Sequence, residues 1–155
     1  MSIETDINQQ NFRSESHKAA INIFFTSNWL MEKVKLHLDK YGLTPQQFNI
    51  LRILRGAKAP LSTMQIRERM IDKMSDTSRI VDRLILKALV QKNVCPRDKR
   101  LVDVQITAKG LKLLATLDLT SAEQDAVLAN LNEPEMQMLN TLLDKIRDTE
   151  SASSE

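Results

Sequence analysis

The chain concentrates its chemistry-bearing residues, cations and hydroxyls, in its middle third. Residues 62–112 hold 12 Lys and Arg against 6 Asp and Glu, which gives this basic block a net charge of +6. The segments 1–61 and 113–155 carry net charges of +3 and −7. A basic block inside a nearly neutral chain is typical of a surface that neutralises nucleic-acid phosphates, and a solvated charged face is the alternative.

Within this block the sequence predicts an amphipathic helix from Asp76 to about Lys87, capped by Ser75. Its apolar and polar faces hold, respectively, Ile80, Val81, Leu84 and Ala88, and Asp76, Arg79, Arg83 and Lys87. Such a helix fits the major groove of DNA, where residues near its N-terminus reach base edges and hydroxyls can bond phosphates. We expect Arg79 to read a base, and an ordinary solvated helix is the alternative. The full set of expected contacts on this helix is Ser75, Thr77, Ser78, Arg79 and Arg83.

Two β-leaning segments, Leu89–Val94 and Leu101–Ile106, surround a charged hairpin tip. An extended ribbon is thin enough to lie along a minor groove, where an inserted Arg meets the enhanced negative potential of A·T-rich DNA. Asp98 can pair with a neighbouring Arg and hold the tip in shape, and a solvated turn with a local ion pair is the alternative. The cations expected to contact DNA are Arg97, Lys99 and Arg100.

Helices are expected to carry most of the remaining chain, which holds only 3 Gly and 4 Pro. The first helix should run from about Ser14 to Lys40. Capping-box spacings at Thr44–Gln47 and Ser62–Gln65 open two more. The second of these should reach Asp72, with Ile71 among its apolar residues. These helices would hold the basic helix and the hairpin in place.

Two further helices are expected after the hairpin, one capped by Thr107 and a last one capped by Asn132. The last helix has an apolar stripe that should be buried, formed by Met136, Leu139, Leu142, Leu143 and Ile146. This order of elements predicts a mostly α fold with a small β-hairpin: a winged helix-turn-helix with terminal dimerisation helices.

The first helix carries more apolar surface than a helix packed on one side needs, since Ile21, Ile23, Phe24 and Phe25 cover more than one stripe. Another chain or a second layer must cover it, and we expect a homodimer. Within one domain overall, the expected parts are an N-terminal dimerisation helix (1–43), a winged helix-turn-helix DNA-binding region (44–112) and C-terminal dimerisation helices with a tail (113–155).

The sequence resembles the MarR (multiple antibiotic resistance regulator) family of bacterial transcription regulators over roughly residues 15–148. The most specific match is Asp98–Gly110, which is similar to the family's wing signature of Asp-x-Arg, an alternating strand and Thr-x-x-Gly. Leu43–Leu51 is similar to the opening of its second helix, Ser75–Leu84 to its recognition helix and Leu131–Leu143 to its closing dimer helix.

The resemblance implies a homodimer whose two recognition helices read a pseudo-palindromic operator in double-stranded DNA. We expect a ligand-responsive repressor, and an activator is the alternative, because the effect on transcription depends on where the operator lies relative to a promoter. It implies Arg100 as the minor-groove residue and Asp98 as its positioning partner. It also suggests a pocket for a small aromatic effector, between the first two helices and the DNA-binding part. Candidate residues for the lining of this pocket are Trp29, His37 and Tyr41.

Two positions depart from the family's pattern. Ala88 stands where the family usually has Gly, so Ala88 must accept a left-handed conformation at modest cost, or the helix must end differently. Lys99 stands where a second Arg is common, which should matter little if Lys99 contacts only phosphate.

Enzyme, metal and membrane functions find no support in the sequence. It has no Gly-rich phosphate loop, metal-ligand cluster or nucleophile motif, so we expect neither an enzyme nor a cofactor. His17 and His37 lie roughly 30 Å apart along one helix and cannot share a metal within one chain, and a site shared across the dimer is the alternative. The single cysteine, Cys95, fits a reducing cytosol and is either a bystander thiol or a redox sensor.

No apolar run approaches the roughly 18 residues of a membrane span, so we expect no membrane association and a cytoplasmic location.

The main alternative function is a dimeric winged-helix module that binds a partner protein, without specific DNA binding. The hairpin discriminates between the two functions, because a protein-binding wing has little need for three cations at its tip.

Overall fold

The computed structural model describes residues 2–57, 59–94 and 102–148. Its elements are, in chain order, α1 (Ile3–Asp6), α2 (Glu15–Asp39), α3 (Pro45–Ala57), β1 (Leu61–Ser62), α4 (Thr63–Arg69), α5 (Thr77–Leu86), β2 (Val90–Val94), β3 (Val102–Ile106), α6 (Ala108–Asp118), α7 (Ser121–Asp125), a 3-10 turn (Ala126–Leu128) and α8 (Glu133–Arg147). A mostly helical chain with one small sheet confirms the predicted fold class. It divides into two compact units, Met1–Leu119 and Thr120–Glu155.

The core of the first unit forms where α3, α4, α5, α6 and β3 meet. Its side chains recur at the spacing of a helix or a strand, so each element turns one apolar face inward. The largest fully buried side chains are Leu38, Leu43, Ile50, Leu51, Ile66, Met70, Val81, Leu84, Val104, Leu114 and Leu117. Burial of one such side chain contributes roughly 1.5–3 kcal/mol, so this core fixes the inner face of α5.

The two helix starts predicted from capping-box spacings are confirmed in this unit, and α2 begins close to its expected start. Ser14 caps α2. At α3, Thr44 and Gln47 exchange hydrogen bonds, each side chain accepting from the other's backbone N–H at 3.2 Å. Ser62 and Gln65 form the same reciprocal box at α4. Each box satisfies N–H groups that the first turn of a helix leaves unpaired.

Gly110 shows why the Thr-x-x-Gly pattern requires a glycine. Thr107 caps α6 as expected, because its hydroxyl accepts a hydrogen bond from the Gly110 N–H at 3.1 Å. A Cβ on Gly110 would lie 2.4 Å from the backbone oxygen of Leu89 and 2.7 Å from Cγ1 of Ile106. Non-bonded atoms do not approach so closely, so a glycine is what lets the start of α6 lie against Leu89 and Ile106.

The sheet has three strands, whereas the sequence predicts a two-stranded hairpin. β3 pairs antiparallel with β2, with Lys92 opposite Val104. On its other edge β3 pairs with β1, where Leu61 lies opposite Val104. A two-residue strand is too short to show alternation, so β1 depends on pairing with a distant segment.

The predicted end of α4 is wrong. The helix stops at Arg69 rather than near Asp72, because the backbone of Met70 turns to an extended conformation with ψ 141°. Ile71 therefore lies outside the helix and is 84% exposed. A short helix, α1, was also not expected, and its Ile3 is buried.

Two ion pairs tie helices of the first unit together. Arg55 of α3 donates to both carboxylate oxygens of Asp118 at the end of α6, at 2.5 and 3.2 Å. The hydrogen-bonded Arg55 guanidinium lowers the pKa of Asp118 from its ordinary value of 3.8. Lys18 of α2 pairs with Glu4 of α1 at 2.5 Å, and its hydrogen bond lowers the pKa of Glu4 to about 2. Both pairs are partly open to solvent, which limits what they add to stability.

Both α2 and α8 expose apolar side chains. Within α2 only Leu38 is buried, and the large exposed side chains are Ile23, Phe24, Phe25, Trp29, Met31, Val34 and Leu36. In the second unit Asn132 caps α8 in a reciprocal box with Glu135, as expected. The expectation that the α8 stripe is buried is wrong for the single chain, since α8 has no buried residue. A periodic stripe shows which face must be covered, and not that the same chain covers it.

Candidate nucleic-acid interface

Helix α5 has one buried and one exposed face. Val81 and Leu84 are fully buried. Ser78, Arg79 and Arg83 are exposed. A guanidinium stays charged at any working pH and presents five N–H donors in a rigid fork. The exposed face of α5 can therefore donate hydrogen bonds to base edges and to phosphate oxygens.

Two carboxylates shape the start of α5. Asp76, and not the expected Ser75, caps the helix, since its side chain accepts a hydrogen bond from the Arg79 N–H at 3.1 Å. Ser75 is half-buried and donates its hydroxyl to Asp72 at 2.7 Å, while the Met74 N–H donates to the other Asp72 oxygen at 3.0 Å. These bonds, the one from Ser75 foremost, lower the pKa of Asp72. The sequence reading missed Asp72, although an Asp two residues before a paired N–H is a common turn signal.

Thr77 does not lie on the exposed face, so the expected DNA contact from its side chain is wrong. The residue is only 4% exposed. Its position shares a helix face with Val81 and Leu84, four and seven residues later, which turns the side chain toward the core. Among the described residues its hydroxyl has no hydrogen-bond partner. The hydroxyls near the helix start therefore differ in role, although their residue types are alike.

A cleft of about 250 Å³ lies between the start of α3 and α5. It is lined by Thr44, Gln46, Gln47, Ser75, Asp76, Arg79, Ile80 and Arg83. The cleft brings the two exposed guanidiniums of α5 beside hydroxyl and amide groups. Such a surface offers several donors to an acceptor-rich partner, as phosphates and base edges are.

The C-terminal end of α5 is held by lysines. Lys87 Nζ donates to the Gly42 carbonyl at 2.5 Å and to Gln47 Oε1 at 3.0 Å. Lys109 Nζ donates to the Lys87 carbonyl at 2.9 Å. Lys87 is exposed on the polar face, as its spacing predicts, and its ammonium group also joins α5 to the corner between α2 and α3.

Ala88 takes the left-handed conformation, with φ 57°, which was the first of the two alternatives for this position. Its N–H donates to the Ile85 carbonyl at 2.8 Å, and the Leu89 N–H donates to the Leu84 carbonyl at 3.0 Å. These two bonds form the Schellman motif that commonly ends helices at a glycine. The Ala88 side chain is exposed and does not belong to the buried face of α5.

The wing is anchored to α5 at its base. Lys92 of β2 pairs with Asp82 of α5 at 2.5 Å, so the hairpin and the helix are tied together by a side-chain contact. The tip lies outside the described residues, and with it the predicted site residues Arg97, Asp98, Lys99 and Arg100 as well as Cys95.

Of the three candidates for an effector pocket, the structure brings two together. The rings of His37 and Tyr41 lie 5.6 Å apart, centroid to centroid. Trp29 lies two turns earlier in α2, about 12 Å along the helix axis. Its ring has Lys33 Nζ at 5.8 Å from the centroid. None of the three lines the cleft between α3 and α5.

Within the ranges that the structure describes, no helix is long and apolar enough to cross a membrane. The same ranges contain no group of three or more His, Cys, Asp or Glu residues that could hold a metal ion.

Comparison with known sequences places the chain among transcription regulators. A family model described as MarR family matches residues 41–101. The HTH-type transcriptional regulator MhqR of Bacillus subtilis is 31% identical over 111 residues, which cover 71% of this chain and 76% of MhqR. The HTH-type transcriptional repressor MdtR of the same organism is 32% identical over 100 residues, 64% of each chain.

Solved structures agree with this assignment. A MarR transcription factor from Planctomyces limnophilus is 29% identical, with a TM-score of 0.67, and the match covers 86% of this chain and 98% of that one. A mutant of MarR from E. coli, complexed with operator DNA, has a TM-score of 0.76 over 88% of this chain and 99% of that one. Its identity of 23% makes it a likeness of fold.

Proposed function

The chain belongs to the MarR family of transcription regulators, and from this premise we propose that it binds a pseudo-palindromic operator sequence-specifically as a homodimer. The observation that carries the proposal is the exposed face of α5, which displays Ser78, Arg79 and Arg83 inside the basic block. A relative that is named a repressor and a fold shared with an operator-bound MarR support it.

In this proposal α5 enters the major groove. Arg79, in the first turn, reads a base, and Arg83, one turn later, contacts a base or a phosphate. Ser78 bonds a phosphate from the helix start. Ser75 is half-buried and engaged with Asp72, so it contributes through the shape of the turn.

The wing supplies the minor-groove contacts of the proposal. The resemblance to the family's wing signature supports Arg100 as the inserted residue, Asp98 as its positioning partner, and Arg97 and Lys99 as phosphate contacts. The Lys92–Asp82 ion pair links strand β2 of this wing to α5.

Dimerisation is proposed to involve residues 1–43 and 113–155, leaving 44–112 as the DNA-binding region. Support comes from the exposed apolar side chains of α2 and, separately, of α8. A dimer with two α5 helices on one side would read half-sites roughly 10 base pairs apart, one turn of the duplex.

We also propose a ligand-responsive repressor, located in the cytoplasm where it can reach DNA. A small aromatic effector would stack on the neighbouring rings of His37 and Tyr41, which support the proposal by lying 5.6 Å apart. Trp29, two turns away, would take part only in a larger site.

The test is selection of duplexes from a random library by the full chain, followed by affinity measurements on the enriched duplex and a scrambled one over a range of salt. A regulator should prefer the enriched duplex by roughly 10³-fold or more. The logarithm of its affinity should fall steeply with the logarithm of salt, by about 0.9 for each phosphate neutralised. Arg83→Ala should weaken binding, while Arg147→Ala, which removes an α8 cation outside the basic block, should not.

The alternative function is a dimeric winged-helix module that binds a partner protein, and it predicts the opposite result. It predicts no enriched sequence, and a shallow salt dependence that is equal for both duplexes. That result would contradict the proposal.

A further inference from the structure

The turn between α4 and α5 exposes apolar side chains within the basic block. Met74 is 93% exposed, and Ile71, three residues earlier, is also well exposed. Single exposed apolar side chains are common on protein surfaces. What distinguishes Met74 is its position, two residues before the Asp76 cap of the helix proposed to read DNA.

The backbone that carries Met74 is held in place. The Ile71 N–H donates to Asn49 Oδ1 of α3 at 2.9 Å, which ties the start of the turn to the core helix. Asp72 then accepts hydrogen bonds from the Met74 N–H and the Ser75 hydroxyl. Met74 therefore projects from a turn whose backbone is already ordered, so binding through its side chain would cost little backbone entropy.

The charges around the turn indicate what kind of partner meets Met74. Arg67, Arg69 and Lys73 precede it and Arg79 and Arg83 follow it, against four carboxylates in residues 67–83, which leaves a net charge of +1. Two of these carboxylates, Asp72 and Asp76, accept hydrogen bonds from the turn and from the start of α5. The core of a protein–protein interface is depleted of charged residues, whereas a DNA interface is rich in cations. In the major groove the apolar group on offer is the C5 methyl of thymine.

We propose that Met74 contacts the C5 methyl group of a thymine, and so sets a base preference that the arginines of α5 cannot set. This inference rests on the proposed DNA-binding function and adds a residue to its recognition surface. The flexible, polarisable thioether suits the role, because it can follow the methyl group as the turn settles in the groove.

The experiment removes the methyl group from the DNA and the thioether from the protein. In the duplex enriched by the full chain, each thymine in turn is replaced by deoxyuridine, which lacks only the C5 methyl. The affinity of the unmodified protein should fall roughly fourfold at one thymine per half-site, the effect of exposing one apolar carbon. Met74→Ala should weaken binding to the thymine duplex by at least as much, and should show no further loss on deoxyuridine at that position.

Met64→Ala is the matched control, since Met64 is also exposed (70%) but lies at the start of α4. This variant should keep the sensitivity to deoxyuridine. Equal melting temperatures would show that both variants fold. If Met74→Ala discriminates thymine from deoxyuridine as the unmodified protein does, or if no thymine matters to the unmodified protein, the assignment of Met74 is overturned while specific binding stands. A chain that enriches no duplex at all contradicts the proposed function itself.

Discussion

Replacing Ala88 by Gly should stabilise the protein. Ala88 ends α5 in the left-handed region, at φ 57°, within a Schellman motif closed by its own N–H and that of Leu89. In this region the Cβ of an L-residue crowds the following carbonyl. Its side chain is exposed, so a glycine would remove the crowding without opening a cavity.

Two opposing effects decide the magnitude. Relief of the left-handed strain is worth about 1–2 kcal/mol. Glycine also lowers the free energy of unfolding by about 0.5–1 kcal/mol, because the unfolded chain has more backbone conformations with glycine at this position and loses them on folding. The net expectation for Ala88→Gly is stabilisation by about 0.5–1 kcal/mol. In a protein of 155 residues this corresponds to a rise in melting temperature of about 1–4 °C.

Urea unfolding and calorimetry at one fixed protein concentration would measure the effect, since a dimer's stability depends on concentration. Ala108→Gly is the matched control: it changes an exposed alanine in the first turn of α6 and should destabilise by up to about 1 kcal/mol. Ala88→Val should also destabilise, because a β-branched residue tolerates positive φ poorly. If Ala88→Gly destabilises the protein as Ala108→Gly does, the strain argument for Ala88 is refuted.

Four further outcomes are expected. Gly110→Ala should destabilise by on the order of 1–3 kcal/mol in denaturant titrations, because its methyl would meet the backbone oxygen of Leu89; an unchanged midpoint would show that the backbone yields freely. Arg79→Ala should lose on the order of 1–3 kcal/mol of binding to the enriched duplex and blunt discrimination at one position per half-site; equal weakening on all sequences would make it a phosphate contact. Arg100→Ala should weaken binding most on A·T-rich flanks with little change in melting temperature, and unchanged affinity would leave the wing without a demonstrated role. Asp118→Asn should lower the free energy of unfolding above pH 3.8, where the unmodified Asp118 is charged and paired. This difference between the two proteins should disappear as the pH falls through the lowered pKa of Asp118. A difference that does not depend on pH would rule out the ion pair as its source.

The sequence by itself determined the features that arise from neighbours in the chain. The capping box of Thr44 and Gln47 and the cap at Thr107 join residues three apart, so their types and spacing suffice to predict helix starts. The same holds for the exposed face of α5, because a period of 3.6 places Arg79 and Arg83 opposite Val81. These local patterns predict a winged helix-turn-helix and its DNA-facing residues.

The tertiary structure alone decided which of several equivalent residues takes each role. Thr77 and Ser78 both carry a hydroxyl, but Thr77 faces the core whereas Ser78 is exposed. Strand β1 exists because β3 pairs with it from some 40 residues away.

Lys87 shows the same limit at the far end of α5. Its spacing predicts the exposed polar face on which it lies, but not that its ammonium group bonds the carbonyl of Gly42, 45 residues earlier in the chain. Hydrogen-bonding type and helical period are properties of a residue and its near neighbours. The acceptor that a given donor meets across the core depends on how the helices pack. Neither the hydrogen-bonding type of a residue nor its place in the helical period determines that packing.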